Sequence, residues 1–352
     1  MTALPRNLPF VVDAHLDLAF NALAGRDLTW PLARLRGLEG EKGDGAGNIA
    51  TVTLPELRAG RVGLVFATLF AQPVTDTPTP WSGVAPYTTP EDAAEQGRSQ
   101  LGIYLGWVRS GLVRLVRSKN DLAAHVRAYE SDGITGLVIL MEGCDPILTP
   151  EDAVWWWEQG VSIFGLAWQR TRYCGGTGAP GGLTAVGWSL LDVLGSLGAV
   201  VDVSHMAEAA LDETLSSYKG PLIASHSNAR AIVGTDRQLS DAALRALAER
   251  GAVVGLALYN KFLEPRWSRE DRAVTVTLQA AERMLAHMAD HVGWANLGIG
   301  SDLDGGFGSR ELPEEIESIA DLARIARIVP HGVAEGILGG NWLRFLAARL
   351  RD

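Results

Sequence analysis

VVDAHLD (residues 11–17) runs from a β-type apolar stretch straight into His15 and Asp17. In an extended chain residues i and i+2 point the same way, so both side chains can reach one ion. Alone, an H-x-D is a weak signal and more often marks a buried His bonded to a neighbouring Asp. Four more apolar runs end alike: VILMEG at Glu142, AVVDVSH at His205, PLIASH at His226 and LGIGSD at Asp302. They are far apart in sequence. A parallel barrel gathers such positions, because its strand C-termini converge on one face. Imidazole and carboxylate are the donors that zinc-like divalent ions take. The pattern predicts a two-metal site on a (β/α)8 TIM-like barrel of the α/β class.

The rest of the chain reads the same way. Runs at 10–14, 63–70, 136–141, 162–167, 199–203, 221–224, 252–258 and 297–300 are near-continuously apolar, as expected of strands covered on both faces. Amphipathic stretches at 91–108, 184–197, 241–249 and 274–292 lie between them, and strand–helix alternation predicts a parallel sheet. No glycine-rich phosphate loop follows an early run, which argues against an open doubly wound sheet. Residues 24–60 read as a long polar connection. The Pro/Thr-rich 73–90 reads as a loop over the site mouth, and 332–350 as one or two helices broken at Gly339-Gly340.

The 352 residues suit one barrel with insertions, so 1–352 is read as a single domain. A net charge of −10 argues against nucleic acid or an anionic membrane as partner. No apolar stretch is long enough to span a bilayer. MTALPRNLPFVVDAH carries no charged-then-apolar leader pattern. The two cysteines, Cys144 and Cys174, make no disulfide framework, and a cytoplasmic location is expected.

At the site, Glu142 is costly after Leu140-Met141 unless compensated. Either two metals share its oxygens or Arg170 or Arg172 pairs with it. His205 and His226 each follow a serine, and Ser204 and Ser225 are placed to orient the imidazoles. His125, His287, His291 and His331 read as surface residues. Asp302 reads as the proton-handling acid, and Asp304-Gly305-Gly306 as a turn. The alternative makes Asp302 a ligand. Arg237 and Arg230 offer guanidinium forks for a substrate carboxylate. Tyr259 either lines the pocket or packs in the core. Trp155-Trp156-Trp157 reads as packing and Cys144 as a small apolar filler.

With these residues in hand, the chain resembles the membrane dipeptidase (renal dipeptidase) family of zinc peptidases. The resemblance runs in order through VDAHLD (12–17), MEG (141–143), the block 182–205 ending VVDVSH, PLIASHSNARAI (221–232), 237–256, HVGWANLGIGSDLDGG (291–306) and GILGGNWLRFL (336–346). It implies a TIM-like barrel, two Zn2+ ions, dipeptide substrates (some with a C-terminal D-residue) and a homodimer. By matching motifs His15 and Asp17 hold one zinc, His205 and His226 the other, and Glu142 bridges them. Asp302 handles protons and Arg237 holds the substrate carboxylate. One position departs. Where many members have a His after the fourth strand, this chain has Trp168, which cannot be a cation but can donate one indole N–H. Losing an oxyanion donor can cost roughly 3 kcal/mol, and Gln169 and Arg170 are the neighbours able to substitute. Two rivals stay open. One is a barrel lactonase, deaminase or phosphotriesterase, for which Lys261 is the nearest bridging lysine. The other is a catalytically impaired barrel that binds metal or peptide.

Overall fold

The computed structural model describes residues 9–44, 47–74, 83–271 and 273–352. Eight parallel strands follow in chain order: β1 (Val11–Leu16), β2 (Val62–Phe70), β3 (Gly136–Glu142), β4 (Val161–Gly165), β5 (Val200–Asp202), β6 (Leu222–Ile223), β7 (Val254–Leu256) and β8 (Leu297–Ile299). Each pairs with the next from β1 to β6, β7 pairs with β8, and β8 returns to β1 at Asp13–Ile299. One parallel bridge, Ala224–Val254, closes the ring between β6 and β7. This is the (β/α)8 barrel read from the strand-end pattern.

Alternate residues on each strand serve two packing layers. Val12, Ala14, Leu64, Phe66, Val138 and Leu140 pack with Trp342 and Phe345 of the C-terminal helix Asn341–Arg349. Their neighbours Val11, Val65, Ala67, Leu137 and Ile139 pack in the larger cluster that includes the outer helices. Both sets are buried, which is why the runs are apolar without alternation. The helices start on strong signals. Thr89 and Ser118 open Pro90–Arg109 and Lys119–Asp132 with reciprocal capping boxes to Asp92 and Asp121. Two glycines serve closure. A methyl group on Gly255 or Gly300 would sit 1.9 or 1.8 Å from the Ser225 carbonyl oxygen, so β7 and β8 reach β6 only without side chains there.

Several expectations need correction. Residues 24–60 are not an unstructured connection, because they hold helices Leu32–Glu39 and Leu54–Ala59. Helices Lys119–Asp132 and Glu208–Ser217 also form, outside the four amphipathic stretches expected from the sequence. His125 is not a surface residue. It is 2% exposed, with Nε2 2.7 Å from Gly63 O, so it ties its helix to β2. The 73–90 loop is described at its flanks, where Tyr87 N donates to Gln72 O at 2.8 Å; residues 75–82 lie outside the described residues. The C-terminal break falls at Gly339, as expected. Among the described residues no helix is long and apolar enough to cross a membrane.

Candidate metal centre

The strand ends bring the dispersed residues together. His15 lies in β1 and Asp17 just beyond it, and Glu142 ends β3. His205, His226 and Asp302 each stand three residues past β5, β6 and β8. Glu142 is central. Its Oε2 lies 3.4 Å from His15 Nε2, and its Oε1 lies 3.2 Å from His205 Nε2 and 3.4 Å from His226 Nε2. Asp17 Oδ1 and Asp302 Oδ1 are 4.0 and 3.9 Å from His15 Nε2. Neither Arg170 nor Arg172 pairs with Glu142. Arg170 donates to Pro180 O, and Arg172 turns to Asp145 and to main-chain carbonyls.

The donors fit divalent ions. Two donors on one tetrahedral zinc stand about 3.3 Å apart, given bonds of roughly 2.0–2.2 Å. Ligand atoms of His15, Asp17 and Glu142 lie within 4.8 Å of one another, as do those of Glu142, His205 and His226, and those of His15, His226 and Asp302. His15 Nε2 is buried and has no hydrogen-bond partner among the described residues. Burial opposes a charge on His15, but Glu142, with Asp17 and Asp302, overcomes it and pushes the pKa up to about 10. The field that would draw a proton to Nε2 also draws a metal ion. Burial and Arg237 push His205 down to about 4, and burial, His15 and Arg237 hold His226 well below its usual range. Both therefore stay neutral, the form that ligates metal. Burial also raises Asp17 to about 7, with Glu142 adding to it, and lifts Asp302 well above the usual carboxylate range. Three carboxylates packed this closely are a site for cations.

A second layer holds the ligands. Ser225 Oγ donates to Asp202 and lies 2.8 Å from His226 Nδ1 and 3.3 Å from His15 Nδ1. One hydroxyl donates once and accepts twice. Its proton goes to Asp202, so it accepts from both Nδ1–H groups and leaves both Nε2 lone pairs facing Glu142. The two rings stack with centroids 3.6 Å apart. Ser204 Oγ holds the His226 backbone N at 3.2 Å. Thr177 Oγ1 is 2.9 Å from His205 Nδ1, and Thr68 Oγ1 donates to Asp17. Asp202, Thr68 and Thr177 were missed in sequence. For Asp202 a signal existed: VVDAH and VVDVSH both carry an Asp just before the histidine.

A cavity of about 490 Å³ opens over the metal centre, lined among others by Asp302, Arg237, Tyr259 and Trp168. Arg237 is buried and held by Ser227 Oγ (3.1 Å) and His226 O (2.6 Å). Arg230 instead pairs with Glu208 at 2.8 Å and does not line the cavity. Tyr259 stacks on Phe307, with centroids 4.5 Å apart and planes at 9°. Trp168 sets its edge against Phe70 beside His205. Of its neighbours Gln169 lines the cavity, whereas Arg170 is exposed outside it. Lys261 is exposed at the cavity wall rather than standing at a strand end. Asp304 makes the expected turn but does more: its buried carboxylate accepts from Thr51 N (2.9 Å) and Val52 N (3.0 Å), docking the 24–60 segment on the end of β8.

The family model described as "Membrane dipeptidase (Peptidase family M19)" matches residues 2–349. A Klebsiella pneumoniae protein named for the pqqA 5' region is 31% identical over 252 residues, 67% of this chain and 89% of that protein. The crystal structure of the metallopeptidase named dipeptidase AC superposes with a TM-score of 0.79 at 25% identity, covering 98% of this chain and 99% of that one. A Rhodobacter sphaeroides metallopeptidase, solved with a phosphinate mimic of the dipeptide L-Ala-D-Ala, gives 0.78 at 24% identity over 98% and 100%.

Proposed function

The chain belongs to the membrane dipeptidase family, peptidase family M19, and on that premise we propose that it is a two-zinc dipeptidase cleaving free dipeptides, including those with a C-terminal D-residue. The observation that carries this reading is Glu142, whose two oxygens face separate ligand sets at 3.2–3.4 Å. His15 and Asp17 would hold one ion, and His205 and His226 the other. Ions held there supply Lewis acidity, polarising the scissile carbonyl and making water nucleophilic at neutral pH.

The protein's own groups do the rest. Asp302 faces the cavity beside His15. It takes a proton from the attacking water and returns it to the leaving amine. Arg237 receives the free carboxylate of the substrate, its guanidinium already fixed by Ser227 and the His226 carbonyl. A bound carboxylate one residue from the scissile bond fixes a single residue on the C-terminal side, which suits short peptides. Tyr259 forms one wall of the cavity. Trp168 forms another and offers an indole N–H.

Residues 1–352 act as one catalytic domain in this reading. Two free, buried cysteines suit a cytoplasmic location. Val154, Trp155, Val186 and Trp188, each 40–44% exposed on two packed helices, provide an apolar face for a homodimer.

The test is a panel of L,L- and L,D-dipeptides and their C-terminal amides, with metal analysis of the same sample. Turnover of the free acids, little turnover of the amides, and two ions per chain are expected. Tight dipeptide binding by the metal-loaded protein without turnover would make it a peptide-binding relative instead.

A further inference from the structure

A second group of metal-type donors lies in the helical layer, away from the cavity. Helix Leu278–Val292 carries His287 and His291 one turn apart, so both rings share a face. Asp241, in the first turn of the neighbouring helix Asp241–Glu249, meets both rings. Its Oδ1 is 2.9 Å from His287 Nε2 and its Oδ2 is 3.4 Å from His291 Nε2. The ring centroids are 4.9 Å apart. The three side chains are 18–35% exposed, so water can fill the remaining coordination positions. The donor atoms all lie within 4.8 Å of one another.

We propose that Asp241, His287 and His291 form a separate site for a borderline divalent ion of the zinc or nickel class, clamping the two helices together. Two imidazoles and one carboxylate match that class and not magnesium or calcium, which take oxygen donors. Without an ion, the carboxylate accepts from His287 and faces His291 Nε2 at 3.4 Å. Arg245 NH1, 3.0 Å from His291 Nδ1, completes the network. Coordination through Nε2 moves the His291 ring proton to Nδ1, where it no longer accepts from Arg245. Arg245 is exposed and can turn to solvent. The site is independent of Glu142 and its ligands, and no residue in it touches substrate.

The experiment is equilibrium dialysis of the full-length protein against micromolar Zn2+ or Ni2+ at pH 7.5. Wild type is compared with the double variant His287→Gln/His291→Gln and with Arg245→Ala. The double variant is expected to bind one equivalent fewer than wild type while keeping full dipeptidase activity, and its thermal midpoint is expected to respond less to added ion. Arg245→Ala, freed of the competing donor, is expected to keep the extra equivalent and bind it more tightly. An unchanged count in the double variant, or loss of the extra equivalent in Arg245→Ala, would overturn the proposal. Either result is read as a difference between proteins with an intact Glu142 centre, so it is separate from whether that centre holds two ions.

Discussion

His205 and Asp302 both hold a left-handed backbone, at φ 65° and 62°. Such a conformation costs of order 1–3 kcal/mol for a non-glycine residue and persists where function needs the side chain aimed. Both residues lie three positions past a strand end, and there His205 Nε2 stands 3.2 Å from Glu142 and Asp302 Oδ1 3.9 Å from His15 Nε2. Asp302→Asn keeps the size of the side chain but removes its basicity. It is expected to retain metal and lose at least 10²-fold in kcat, the usual worth of a general acid–base group; full activity in steady-state assays would refute the proton role. Ser225→Ala removes the one hydroxyl that serves rings from both ligand sets. Metal affinity is expected to fall 10–100-fold at both positions, read by competition with a chelating dye, with Ser225→Thr restoring most of it. At this scale the ligands were legible because a His or acid after a buried run is costly without a partner. Their supports were not. Thr68 and Thr177 are common residue types, and only the fold reveals that they face Asp17 and His205.

The strands and helices hold these side chains in register. Gly255 and Gly300 let β7 and β8 reach the Ser225 carbonyl, so Gly300→Ala pushes on the residue that sets two imidazoles. Loss of metal affinity together with a lowered melting temperature is expected, and a stable, metal-tight Gly300→Ala protein would contradict the close-packed closure. At His125 burial depresses the pKa, while the bond to Gly63 O opposes the shift only in part. As pH falls through about 6.5, the unfolded chain takes up the proton first. The contribution is intact above that pH and is lost as pH drops toward the folded value. Thermal midpoints between pH 7 and 5 are expected to fall less steeply in His125→Gln than in wild type. The strands were readable from continuous apolar runs. The helix carrying His125 was not, because its buried face is narrow and its polar face dominates KNDLAAHVRAYESD.

Across the whole molecule, chain order and eight apolar runs were enough to anticipate the closed parallel ring, because strand–helix alternation leaves few arrangements. The cavity wall was harder to foresee. Phe307 and Trp267 pack on Tyr259 from segments that carry no periodic signal. The buried Asp17 and Glu142 and the partly buried Asp302 crowd one end of the barrel, so removing the ions with a chelator is expected to abolish hydrolysis and lower the melting temperature. Added Zn2+ is expected to restore both, as for any ligand that binds the folded state alone. The account rests on two cations sharing Glu142. Anomalous scattering at the zinc edge from crystals of the active, zinc-loaded protein addresses this directly. It should reveal two peaks astride the Glu142 carboxylate, about 3.5–4 Å apart; a single peak, or none touching Glu142, would contradict it.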